Sequence, residues 1–160
     1  MVYRVLMVCM GNICRSPTAE VVVRSYIKNN GMGNKVEVDS AGTHGYHVGE
    51  APDPRTQRAA LVRGYEMTQL RARKVAHQDL DYFDLVLAMD KNNLDNLQRM
   101  ALPEQLPKLQ LFMDYARNFD EQEVPDPYYG LGHGFDQVLD MIEDAADGLT
   151  QDISRRLRRK

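Results

Sequence analysis

Cysteine is scarce in this chain. Cys9 and Cys14 are the only two in 160 residues, which rules out the disulfide-dense scaffold of small secreted domains. No apolar stretch approaches the roughly 20 residues that a membrane helix needs, so membrane insertion is not expected. Charge of one sign is not in excess either, with 20 Lys and Arg against 23 Asp and Glu and a net charge of -3. Such a balance gives no surface-wide attraction for a polyanion, and nucleic acid is not an expected partner. Histidine is sparse and scattered at His44, His47, His77 and His133. His44 and His47 offer at most a pair of neighbouring ligands, which argues against a metal centre. The early apolar run breaks at Gly11 and Asn12 without a small-residue cleavage site, so it reads as a strand and not a signal peptide. A soluble, reducing, cytoplasmic setting is expected.

What is present is a regular alternation of strand and helix signals. Residues 4–8 form an unbroken apolar run, as expected of a strand buried on both faces of a parallel sheet. Ser16 and Pro17 predict the start of a helix, with Ser16 as N-cap and Pro17 at the first helical position. Ala19, Val22, Val23, Tyr26 and Ile27 fall on one face of that helix, and Asn30 with Gly31 supplies a stop. A second strand is expected over 35–39. Asp53 and Pro54 open another helix that ends near Gly64, and residues 84–89 form a third strand. Asp90 is placed to cap a helix carrying Leu94, Leu97 and Met100, and residues 109–112 offer a fourth strand. The last helix carries Phe135, Val138, Leu139, Ile142, Ala146, Leu149 and Ile153 at helical spacing. The basic tail of Arg155, Arg156, Arg158, Arg159 and Lys160 sits where cations favour a helix C-terminus. With neither repeat nor linker, the alternation predicts a single doubly wound α/β domain over residues 1–160.

In such a sheet ligands gather at the carboxyl ends of the strands, and Cys9 stands at the end of the first one. From Cys9 to Arg15 the backbone can curl its N–H groups inward as an anion nest, with the following helix aiming its positive end at the same point. Gly11 permits φ > 0 and close backbone approach, and Asn12 also tolerates a left-handed conformation. Arg15 adds a permanently charged planar fork that matches two oxygens of a phosphate. The same surroundings favour the thiolate, the form of cysteine that attacks. A free cysteine at a strand end is often a packed apolar residue. Here the Gly-Asn turn, the arginine and the helix start together favour chemistry.

The segment VCMGNICRSPTAE, from Val8 to Glu20, resembles the signature of the low-molecular-weight protein tyrosine phosphatases. The likeness continues in order through Asp39 and Ser40, Val48 and Gly49, Asp53 to Arg55, Met89 and Asp90, and Asp126 to Gly130. It implies a four-stranded parallel sheet flanked by helices, with the flavodoxin-like order 2-1-3-4. It also implies the catalytic set: Cys9 as nucleophile, Arg15 as clamp and Asp126 as general acid. On its own, Asp126 before Pro127 is ordinary turn chemistry. By the same resemblance Met10, Gly11, Asn12, Ile13, Cys14 and Ser16 contact the phosphate or thiolate, while Asn12 and Ser40 brace the loop. Tyr128 and Tyr129 wall the cleft, joined by Tyr46 where some relatives carry tryptophan. Leu70 replaces a histidine found near the pocket base in some relatives. Cys14 is expected to close a reversible disulfide with Cys9 under peroxide.

The implied reaction needs neither cofactor nor metal. Its partners are tyrosine-phosphorylated proteins, to which a tyrosine kinase could belong, with phosphate or other oxyanions bound in the active site, and the chain would be a monomer or weak dimer. Two relatives of the same fold offer alternatives. Arsenate reductases need further cysteines for a disulfide relay, and only Cys14 is available. Protein arginine phosphatases tend to carry threonine where Ile13 stands, which favours phosphotyrosine here. A module that has lost turnover would have no reason to hold Cys9, Arg15 and Asp126 together.

Overall fold

The early apolar run forms β1, Tyr3–Cys9, in a computed structural model that describes residues 1–127 and 134–159. Val5, Leu6, Met7 and Val8 are all fully buried, as a strand covered on both faces must be. β1 pairs in parallel with β2, Val36–Gly42, on one side and with β3, Leu85–Ala88, on the other. β4, Leu109–Leu111, joins β3, giving the sheet order β2-β1-β3-β4. This is the expected doubly wound order, with β1 inside the sheet.

The helices are α1, Arg15–Asn29; α2, Pro54–Val62; α3, Asp79–Tyr82; α4, Lys91–Met100; and α5, Gly134–Arg158. Alternate residues of β1 feed separate cores. Val5 and Met7 pack with Val22 and Ile27 of α1 and with Leu139, Ile142 and Leu149 of α5. Leu6 and Val8 pack with Leu80 of α3 and Leu97 of α4. Asp53 caps α2 through the Arg55 and Thr56 N–H groups, and Asp90 caps α4 by accepting from the Asn93 N–H at 2.7 Å. The short α3 and the 3₁₀ turns at Pro103–Lys108 and Phe112–Tyr115 have no counterpart in the hydrophobic pattern. β2 also runs past the expected 35–39 to Gly42.

One local expectation fails. α1 begins at Arg15, its cap residue is Cys14, and no side chain caps it. Ser16 lies inside the first turn, where its hydroxyl is free to reach Cys9 instead. Pro17 still falls in the first turn, where a missing N–H costs no intrahelical bond.

After β2 the chain returns as a short strap over 72–75. Gly42 donates its N–H to the Arg73 carbonyl and accepts the Val75 N–H, both at 2.8 Å. Ala72 exchanges bonds with the next loop, accepting from the Gly49 N–H at 2.8 Å and donating to the Glu50 carbonyl at 2.9 Å. Gly42 must be glycine, because a Cβ there would lie 2.7 Å from the Met10 carbonyl oxygen.

A second close approach fixes α5. A Cβ on Gly148 would meet the Tyr115 carbonyl oxygen at 1.9 Å, inside any van der Waals contact. Gly148→Ala must push α5 off the Phe112–Tyr115 turn. A loss of about 1–3 kcal/mol is expected, read as a lower urea midpoint at unchanged slope.

Candidate active site

Where β1 ends, residues 9–15 turn back under the start of α1. Asn12 takes the left-handed conformation at φ 59°, whereas Gly11 does not need it. Gly11 is small for another reason: a Cβ there would press on His47 Cδ2 at 3.1 Å. The turn brings the Asn12 backbone N–H to Cys9 Sγ at 3.2 Å, and the Ser16 hydroxyl to the same sulfur at 2.9 Å. Two polar groups thus converge on a buried sulfur.

Asn12 also organises the loop through its side chain. Its Nδ2 donates to Ser16 Oγ at 2.8 Å and to Ser40 Oγ at 3.0 Å. Ser40 in turn donates to Glu20 Oε1 at 2.6 Å. Glu20 is itself held by Arg24. Burial pushes the Glu20 carboxyl above the usual range, against the opposing bonds from Ser40 and Arg24. The Asn12 Oδ1 accepts the Arg73 backbone N–H at 3.0 Å. Leu70 packs against the core.

Arg15 is 3% exposed and is fixed from the far side. Its Nη1 donates to Asp90 Oδ2 at 2.6 Å and to the Val124 carbonyl at 3.1 Å. Its Nη2 lies 3.6 Å from Asp126 Oδ2. Burial disfavours the guanidinium charge, but Cys9, Asp90 and Asp126 outweigh it and hold the Arg15 pKa above its ordinary value. Nε is buried with no acceptor among the described residues, which leaves a donor of the fork for a bound anion.

Cys9, Met10, Gly11, Ile13, Cys14, Arg15, Tyr46, His47 and Asp126 line one cavity of about 80 Å³. Asn12 and Ser16 stand behind it as braces. Tyr46 is exposed and stacks on His44 with ring centroids 5.1 Å apart. Burial pushes the Cys14 thiol up to about 12, so that near neutral pH it stays protonated. Tyr128 and Tyr129 lie outside the described residues. Among the described residues no three His, Cys, Asp or Glu side chains gather as metal ligands. Nor is any helix among them long and apolar enough to cross a membrane.

Three contributors escape a reading by local pattern. His47 lines the cavity and bonds Glu50 Oε2 through Nδ1 at 3.0 Å. Asp90, legible only as a helix cap, also holds Arg15. Val124 contributes a carbonyl, for which side-chain chemistry gives no signal.

A thiol at a strand end, contacted by a loop amide and a serine hydroxyl and sharing its cavity with an arginine and a carboxyl group, defines a cysteine-based oxyanion site on a doubly wound sheet. Comparison with known proteins gives that class its family. The model for "Low molecular weight phosphotyrosine protein phosphatase" matches residues 4–159, and the chain belongs to that family. A low molecular weight protein-tyrosine-phosphatase of Streptomyces coelicolor is 44% identical over 152 residues, covering 93% of this chain and 92% of that one. The crystal structure of YfkJ from Bacillus subtilis superposes with a TM-score of 0.92 at 36% identity, over 98% of this chain and 97% of that one. A protein tyrosine phosphatase from Entamoeba histolytica, solved with Hepes in its active site, gives 0.93 at 37% identity, over 96% and 97%.

Proposed function

We propose that this chain hydrolyses phosphotyrosine in proteins, and small aryl phosphates, through a phosphocysteine on Cys9. The observation that carries the reading is the convergence of Cys9, Arg15 and Asp126 on one cavity, with the Asn12 N–H and Ser16 hydroxyl on the sulfur. The Cys9 thiolate attacks phosphorus in line as the bond to the phenolic oxygen breaks, and Asp126 gives that oxygen its proton. The ionised Asp126 then takes a proton from water, which attacks the phosphocysteine and releases phosphate and the thiolate. Arg15 and the loop amides hold the equatorial oxygens in both steps.

The phosphate ester of an aromatic ring suits the lining. Met10, Ile13 and Tyr46 supply an apolar wall around the oxyanion cradle. Cys14 lines the same cavity, which supports a reversible Cys9–Cys14 disulfide when Cys9 is oxidised. The setting would be the reducing cytoplasm, with the chain acting as a monomer or weak dimer on tyrosine-phosphorylated proteins.

Matched peptides carrying phosphotyrosine or phosphoarginine test the assignment, assayed with a metal chelator present. Turnover of the phosphotyrosine peptide is expected to persist in chelator and to lead in kcat/KM. A higher kcat/KM for phosphoarginine would move the chain to the arginine phosphatase branch, against the Ile13 wall. Arsenate reduction lacks support, since Cys14 is the only thiol besides Cys9.

A further inference from the structure

Asn12 bears on Cys9 from a backbone conformation that non-glycine residues rarely adopt. Such a conformation persists only where its surroundings hold it in place. Ser16 and Ser40 take the Nδ2 end of its side chain, while the Oδ1 end accepts, among the described residues, from one backbone N–H, that of Arg73. What fixes Arg73 therefore bears on Cys9.

Besides the backbone bonds that join the strap to Gly42, Gly49 and Glu50, Arg73 is held by its own side chain. Its guanidinium grips Asp79 two-pronged, Nη1 to Oδ2 at 2.9 Å and Nη2 to Oδ1 at 3.2 Å. Fork-to-fork pairs of this kind combine strength with fixed geometry. Nη2 also reaches Asp39 Oδ2 at 3.1 Å, on the strand next to Ser40. Asp79 is 8% exposed and additionally accepts the Ala76 N–H at 2.7 Å, so it pins the strap at both ends of the 73–76 segment. Asp39 is the more exposed partner, and its pair with Arg73 is worth less.

We infer that Arg73, anchored on Asp79, is a positioning residue for Cys9, acting through the backbone N–H that it presents to Asn12. Without the anchor the strap shifts, Asn12 Oδ1 loses the Arg73 N–H inside a buried site, and the loop amide leaves the sulfur. The inference rests on the phosphatase reading for its turnover measurement alone, because phosphate binding reports the same loop.

A double-mutant cycle tests it. Arg73→Met and Asn12→Ala are made singly and together, and two quantities are followed: kcat on an aryl phosphate, and the dissociation constant of inorganic phosphate read as protection of Cys9 from iodoacetate. Arg73→Met is expected to cost about tenfold in each quantity in the wild-type background, and less than about twofold once Asn12 is alanine. Equal losses in both backgrounds, or no loss in the wild-type background, would overturn the inference. A merely structural Arg73 would lower thermal stability without this coupling. Should Arg73→Met not fold, Asp79→Asn weakens the same anchor and enters the same cycle with the same criteria. If the wild-type protein binds phosphate but turns over no aryl phosphate, the phosphatase reading fails, and the phosphate arm still decides on Arg73.

Discussion

Cys9→Ser is expected to remove turnover by roughly 10⁴-fold or more while leaving phosphate binding largely intact. The two effects separate because different atoms carry them. Bond formation to phosphorus needs the sulfur, which receives the Asn12 N–H at 3.2 Å and contacts the Ser16 hydroxyl at 2.9 Å. A serine hydroxyl does not ionise near neutral pH and is a far weaker nucleophile than sulfur. Holding the anion needs the loop amides and the Arg15 fork, which Asp90 and Val124 keep in place whichever residue stands at position 9. The check pairs kcat on an aryl phosphate with calorimetric titration of inorganic phosphate. Undiminished turnover in Cys9→Ser would remove the phosphocysteine from the mechanism.

Asp126→Asn should have the next largest effect, and one that depends on the substrate. General acid catalysis contributes about 10²–10⁴-fold, and only where the leaving oxygen needs a proton. Asparagine keeps the shape of the side chain and cannot donate that proton as an acid. The loss should therefore be large for phenols of high pKa and small for activated ones, so the plot of log kcat/KM against leaving-group pKa becomes steeper. The position of Asp126 supports this role, since it lines the cavity with Cys9 and lies 3.6 Å from Arg15 Nη2. An equal loss across the series would assign the proton to another group. A second expectation follows: phosphate binding should change little, because the variant leaves Arg15 and its contacts with Asp90 and Val124 in place.

The nucleophilic loop was legible in sequence because its chemistry is local. Strand, turn, arginine and helix start follow one another from Tyr3 to Asn29, and each has its own residue preference. The caps Asp53 and Asp90 were legible for the same reason. Ser16 shows where local rules mislead. Serine before proline is a good cap, yet its hydroxyl is drawn to Cys9 and Asn12, a tertiary use that no helix preference encodes. Arg73, Glu20 and Val124 were invisible because they act on residues distant in the chain, and in each case through a backbone group or another side chain. His47 carried no periodic signal, since it lies in a loop and meets Gly11 only after folding.

The interior position of β1 has a consequence for the order in which the chain becomes an enzyme. Arg15 receives its fixing contacts from Asp90 and Val124, which lie 75 and 109 residues further on and are made after it. Contacts of that separation close late, after the loop entropy between them has been overcome. A nascent chain with β1 and α1 alone would carry a reactive-looking sequence without a held arginine, without the acid and without the strap. Activity in this protein therefore reports arrival at the complete native topology, and refolding followed by turnover would lag refolding followed by helix content.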